Sequence, residues 1–366
     1  MINTLNIKFL VVSAVLVFSL PAQALVILQK ATIPFDTQYD SNPTLSSNKQ
    51  SIWRYTVTPT YSLAAVEGQN RWYTNVGLSV QRSSDKKVSQ DRQDPNLDIG
   101  WQRELEKGSF SLSTHYDKSS TRFSEFEENG LIDQDGSAVN RSISASWTRL
   151  ITERLNLSLG GQYQTTEYKG SGFTDSVTKS LNSTLSYDWS EKISPFVQLT
   201  LTDFKPDGTT SQPSRSKNIL FGSKFSFAPR WTFSPSVGIN KVSSLGSGFV
   251  TSNNLSYMSE RSDFSASLSR SVSPTGLGNF QQSDQLSLGY SYSLSERSKV
   301  GTTFSKNKNK SISNSESTQF SASYSYELTN QWDMRVMLEA RNQKNITQNV
   351  SGETLGLTLT YNIPEF

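Results

Sequence analysis

The chain has no cysteine. That excludes disulfides, thiolate metal sites and a lipid-modified N-terminal cysteine. It has one histidine, His115, so no histidine pair is available for zinc. No glycine-rich phosphate loop is present. The formal net charge is +3 over 366 residues, so nothing points to a nucleic-acid surface. Hydrophobic residues are scarce at 34%, below the usual share of a globular domain. Beyond the first residues no apolar run is long enough for a membrane helix. No cofactor and no metal are expected.

Aromatic residues are plentiful at 11%. A disordered chain would be poor in them, so the low hydrophobicity points instead to many half-polar strands. The N-terminus is the exception. Lys8 precedes an apolar run from Phe9 to Leu20, and Ala22-Gln23-Ala24 follows with a small-x-small pattern. This reads as a signal peptide over 1–24, leaving one domain over 25–366. An uncleaved anchor helix is the alternative. If the exported chain crosses a membrane, only a closed β-barrel can do it, because every backbone polar group must be paired.

From residue 31 onward the apolar residues recur with period two. Trp53, Tyr55 and Val57 share one face, as do Leu155, Leu157 and Leu159, then Leu355, Leu357, Leu359, Tyr361 and Ile363. Such alternation means one wet and one greasy face, in a barrel or in a soluble sandwich. The connections separate these two. Short ones (Glu106–Gly108, Ile151–Arg154, Ser190–Ile193, Ala228–Arg230, Ser259–Ser262, Ser295–Ser298, Thr329–Gln331) alternate with long ones (Arg82–Pro95, Lys118–Ser137, Lys205–Arg215, Lys306–Glu316). Tight turns at one end and long loops at the other describe an all-β, single transmembrane antiparallel barrel. Counting runs gives about eighteen strands, with sixteen as the alternative. The first covers Ala31–Tyr39 and the last Glu353–Ile363, paired near Ile33 and Phe35. An even count puts both termini at the short-turn end.

Some residues misfit. Pro59, Pro195 and Pro235 fall in or beside strands, where each loses a ladder bond. Arg103, Arg141, Lys179 and Arg270 point to the apolar face. Trp53, Trp72, Trp101, Trp147, Trp189, Trp231 and Trp332 all count onto that face near strand ends, as an interfacial girdle would.

A signal peptide, period-two strands and a final alternating strand that closes on Phe366 resemble Gram-negative outer-membrane β-barrels. The resemblance implies an outer-membrane, porin-like protein with both termini periplasmic, in contact with outer-membrane lipid and lipopolysaccharide. It also implies that Leu359, Tyr361 and Phe366 carry the signal read by the barrel-assembly machinery, although Pro364 puts Phe366 out of register. A narrower resemblance rests on Tyr39, Asp40, Asn42 and Pro43. They look like the opening strand of barrels found with exopolysaccharide export, which would add periplasmic polysaccharide-export components as partners.

The polar face then lines a lumen. Its residues include Arg54, Thr56, Thr58, Tyr73, Asn75, Gln81, His115, Asp117, Gln198, Thr200, Thr358 and Thr360. These are mostly hydroxyls and amides, which solvate water and sugars alike and form no charge ring. The reading is a passive conduit for polysaccharide or small polar solutes, not an enzyme. A structural or adhesive barrel with a blocked lumen is the second reading. A hydrolase using Ser113, His115 and Asp117 is the third, but side chains two apart on a strand stack about 7 Å apart, too far to bond without bends. Glu125, Glu127, Glu128, Asp133 and Asp135 read as a solvated acidic loop within 118–137, and Lys306–Lys310 as a basic external run.

Overall fold

The computed structural model describes residues 25–121, 136–170, 172–208, 212–310, 314–344 and 348–363. The proposed signal peptide, the acidic residues from Glu125 to Asp135, Pro364 and Phe366 lie outside them. Nineteen strand segments form one antiparallel sheet. They are β1 (Leu25–Asp40), β2 (Ile52–Val57), β3 (Thr60–Glu67), β4 (Asn70–Ser83), β5 (Arg92–Leu105), β6 (Gly108–Ser120), β7 (Ser137–Leu150), β8 (Leu155–Lys169), β9 (Ser176–Tyr187) and β10 (Ile193–Pro206). Then follow β11 (Ser214–Ala228), β12 (Trp231–Val242), β13 (Gly246–Met258), β14 (Ser262–Pro274), β15 (Phe280–Ser293), β16 (Ser298–Lys310), β17 (Ser315–Thr329), β18 (Trp332–Lys344) and β19 (Asn349–Ile363).

β2 and β3 are two halves of one crossing, both paired with β1 and with β4. The break falls at Thr58-Pro59, since Pro59 has no N–H to give the ladder. The ladder is bridged around it: the Thr58 amide donates to Pro34 O at 3.1 Å, and the Leu78 amide to Pro59 O at 3.1 Å. Counted this way the chain makes eighteen crossings. β19 pairs with β1, with Ile33 opposite Tyr361 and Phe35 opposite Leu359, so the barrel is closed and no strand edge is left free. Both ends of the strand array lie at the short-turn end.

The other two prolines are absorbed locally. Pro195 stays in register opposite Ser223. Pro235 faces a stretch of β11 where pairing lapses between Gly222 and Phe225, next to a bulge at Phe225/Ala228.

The short turns repeat because their first side chain closes them. The Thr152 hydroxyl accepts from the Leu155 amide at 3.1 Å, Ser259 from Ser262 at 2.9 Å, and Thr329 from Trp332 at 3.1 Å. A Ser or Thr bonded to an amide two or three residues on is the standard stabiliser of such turns.

The opposite end departs from expectation. The connections at 243–245, 275–279, 311–314 and 345–348 are short. Lys306–Lys310 is not a loop but the end of β16, with Asn307 and Asn309 facing inward and the three lysines outward. Most strands run well past the 9–11 residues a bilayer needs. Strand extension, rather than loop length, builds much of this rim.

Outward faces are apolar and exposed: Ile239 is 65% and Leu338 57% accessible. Arg141, Lys179 and Arg270 do face outward, at the long-loop end, and Arg103 at the short-turn end. The registers need no slip, because all four lie near strand ends and three of them are partnered there. Arg141 pairs with Glu167, Arg270 with Asp284 at 2.8 Å, and Lys179 lies 5.7 Å from the centre of the Tyr163 ring.

Candidate functional site

The register places Thr56 and Thr358 on either side of Asp36, and Thr360 beside Pro34, on the inner face. Gln81 lies next to Thr56, Asn75 next to Asp98, and Gln198 and Thr200 next to Thr184 and Asn182. Thr58 sits in the β2/β3 break, its hydroxyl 3.4 Å from that of Ser79. Tyr73 covers Gly100 across the strand pair; a Cβ there would lie 2.3 Å from the tyrosine ring, so only glycine allows the ring to lie flat.

At the long-loop end of the seam the interior holds an ionic cluster. Asp40 is fully buried. Its Oδ2 accepts from Arg54 at 3.0 Å and from Arg341 at 2.7 Å, and its Oδ1 accepts from the Asn42 amide at 3.1 Å. Arg341 also donates to Thr354 at 3.2 Å and lies 3.1 Å from Glu339. One carboxylate thus ties β1, β2 and β18 together where the barrel closes. The loop after it is tied down too. Asn42 donates to Ser46 O and Ser351 O, both at 2.9 Å, and Leu45 packs buried on Val350. Leu45 takes a φ of 43°, a left-handed conformation that costs a non-glycine residue about 1–2 kcal/mol. The fit needs Gly352, where a Cβ would come within 3.0 Å of Asn42 O.

A second network crosses β4 to β8. Asn75 donates to Asp98 at 3.5 Å, Asn140 donates to Asp117 at 3.4 Å, and Thr166 donates to Asn140 at 2.8 Å. His115 Nε2 lies 3.2 Å from Asp117 Oδ1. The two side chains lean together along the strand, so the spacing argument against this contact fails. Ser113 does not join them. Its hydroxyl is 2.8 Å from that of Ser144 on the next strand, so the three groups form no Ser-His-Asp relay.

From β7 to β13 the inner face changes character. Its rows read Asn140, Ser142, Ser144; then Gln162, Gln164, Thr166; then Ser180, Asn182, Thr184. Lys224 is the one charged residue on this inner face among the described residues. Cross-strand hydroxyl pairs such as Ser111–Ser146 at 2.7 Å satisfy one another.

Near the long-loop end this neutral wall is partly roofed. Phe204 of β10, Val242 of β12 and Phe280 of β15 are buried together, with the two phenyl rings 5.7 Å apart. The Thr174 amide donates to Gly276 O at 2.8 Å. The 275–279 connection therefore reaches the connection after β8, across the strands between them. Sequence reading missed this contact and the Asp40–Arg54–Arg341 cluster. Phe204 carried a signal: it is an apolar residue in phase with Gln198, Thr200 and Thr202.

Tryptophans gather at one end. Trp72 pairs with Trp101, Trp101 packs on Phe110 at 5.6 Å, Trp231 on Tyr257 at 4.7 Å and Trp332 on Tyr361 at 5.0 Å. Trp147 lies opposite Phe110, while Trp53 sits alone at the other end against Tyr39, 5.3 Å away. Trp189 corrects the expectation: it lies in the turn after β9, not on a strand face.

No protein-family model and no curated protein sequence matches the chain. Solved structures do match in fold. A BenF-like porin from Pseudomonas fluorescens Pf-5 superposes with a TM-score of 0.51 at 10% identity, over 93% of this chain and 98% of that one. OccK9 (OpdG) of Pseudomonas aeruginosa gives 0.50 at 12% identity, over 93% and 98%. The siderophore receptor PirA of Pseudomonas aeruginosa gives 0.52 at 9% identity, over 94% and 81%. At such identities the likeness concerns the closed barrel fold.

Proposed function

We propose that the chain is an outer-membrane barrel of a Gram-negative bacterium that works as a passive channel for small polar solutes. Its short turns and both termini would then be periplasmic. The apolar exterior supports membrane insertion, since lipid is the solvent that such a surface fits. The hydroxyl and amide wall from β7 to β13 carries the functional reading. Such groups replace the water around an uncharged polar solute without holding it. In this reading Thr56, Thr58, Tyr73, Asn75, Gln81, His115, Asp117, Gln198, Thr200, Thr358 and Thr360 line the path, while Arg54 is buried in the closure cluster. The tryptophans at the short-turn end anchor the inner interface. Leu359, Tyr361 and Phe366 serve assembly.

Sugar-polymer export is the finer form of the same reading. Its support is the Tyr39–Pro43 segment, but Asp40, Asn42 and Pro43 are buried and have a structural job whatever the cargo. A barrel with a blocked lumen is the competing reading, favoured by the Phe204–Phe280 contact.

Planar-bilayer recording tests the channel. The native barrel is expected to give small conductance steps, and Phe204→Ala with Phe280→Ala larger ones. No steps from either protein would leave the blocked structural barrel. Liposome swelling with oligosaccharides of rising length separates a polymer conduit from a small-solute pore.

A further inference from the structure

Charge on the outward face is confined to strand ends, and at the long-loop end it is arranged in two ways. On one side a single rung runs Arg270, Asp284, Lys308, Glu316, Lys344 across five neighbouring strands. Every cation there has a carboxylate directly opposite, the stabilising cross-strand arrangement.

On β9 to β12 the pattern breaks. Lys179 lies opposite Asp203, and Asp203 opposite Arg215. One rung nearer the apolar band, Leu181, Leu201, Lys217 and Lys241 follow in order. Lys217 and Lys241 are direct cross-strand neighbours, a placement that like charges disfavour. Lys179, Arg215, Lys217 and Lys241 are all exposed. The one carboxylate among them, Asp203, accepts from Arg215 Nε at 3.3 Å. Among the described residues no carboxylate pairs with Lys217 or Lys241. The patch frames a recess of about 370 Å³, lined by Lys179, Leu181, Leu201, Asp203, Arg215 and Lys217. Below it the wall is aliphatic: Leu199, Ile219 and Ile239 form the next rung.

We propose that this patch binds the phosphate groups of a phosphorylated outer-leaflet glycolipid, lipopolysaccharide, with its acyl chains lying on the aliphatic rungs. The inference rests on the outer-membrane reading above. An anionic headgroup supplies the countercharge that Lys217 and Lys241 lack, and the step from cations to aliphatic side chains matches the step from phosphate to acyl chain in the lipid.

The test uses the full barrel purified in detergent, compared with a Lys217→Gln/Lys241→Gln variant and with Lys308→Gln as a control in the alternating rung. The readouts are lipopolysaccharide retained per barrel and the unfolding temperature after adding intact lipopolysaccharide, its dephosphorylated form, or inorganic phosphate. The double variant is expected to bind intact lipopolysaccharide roughly 10–30-fold more weakly, and Lys308→Gln to match the native protein. Only the intact lipid should raise the unfolding temperature. Equal retention by the double variant overturns the proposal, as does equal protection by the dephosphorylated lipid or by inorganic phosphate. Membrane fractionation keeps the two claims apart. Absence from the outer membrane sinks the membrane reading; presence there with unchanged retention sinks the phosphate site alone.

Discussion

The two sides of the interior share one backbone ladder and differ in what they place on it. The seam side, from β18 through β19 and β1 to β6, carries Asp333, Arg335, Glu339, Arg341, Asp36, Asp40, Arg54, Arg92, Asp94, Asp98 and Asp117 on its inner face. The side from β7 to β13 carries serine, threonine, asparagine and glutamine with Lys224 alone. The buried charges Asp40, Arg54 and Arg341 sit where the first and last strands must find each other and where the first loop folds down. Ionic groups fix partner and register there more sharply than hydroxyls do. Where hairpins join neighbouring strands, the turn already sets the register, and small neutral side chains suffice. In the proposed channel the labour would then be divided, with closure on one side and a neutral solute path on the other.

The sharpest way to break this comparison is Asp40→Asn. It leaves Arg54 and Arg341 buried without their shared carboxylate, a loss of about 3–5 kcal/mol. The matching change on the neutral wall, Thr200→Val, should cost about 1 kcal/mol or less. Urea midpoints followed by gel mobility measure both, and equal shifts would remove any special role for the seam. A second change sharpens the comparison. Ser144→Asp puts a carboxylate on the neutral wall and should raise cation over anion permeability by about fivefold, read from reversal potentials in a salt gradient. The same reading for Asp36→Asn, on a wall that already mixes both signs, should move less. The smallest effect concerns the connection at 84–91. Lys86 at 2.9 Å and the Ser83 amide at 3.1 Å hold the Asp91 carboxyl below its ordinary value of 3.8. A lowered folded value means that the contact stabilises above pH 3.8 and is lost as pH falls through the lower value. Asp91→Asn should therefore narrow a slight acid sensitivity of this loop, seen as amide exchange measured between pH 5 and 3, with no change at pH 7.

Much of the fold was legible as period-two alternation. The hairpin turns could be placed from Thr152, Ser190, Ser259 and Ser295, because each needs a hydroxyl to cap its amides. The long-loop rim was less legible. Lys306–Lys310 looks like a loop by composition, yet alternation persists through it with asparagines inward and lysines outward. Charge beyond the apolar band costs a strand little, so polarity alone does not end one. The His115–Asp117 contact was misjudged because a fixed spacing along the strand ignores the lean of long side chains. The site was legible as a polar face and illegible as contacts. Glu339 and Arg341 share the inner face of β18 with Asp333 and Arg335, but only closure brings Arg341 to Asp40.

The sequence by itself determined which residues face outward and which face the interior, because side-chain alternation in a strand is local and needs no partner. It also determined where the chain turns at the short-turn end. Tertiary structure decided which distant residues touch: Asp40 with Arg341, Phe204 with Phe280, Lys217 beside Lys241. These contacts depend on ring closure, register and the inward fold of a connection, none of which leaves a periodic trace along the chain.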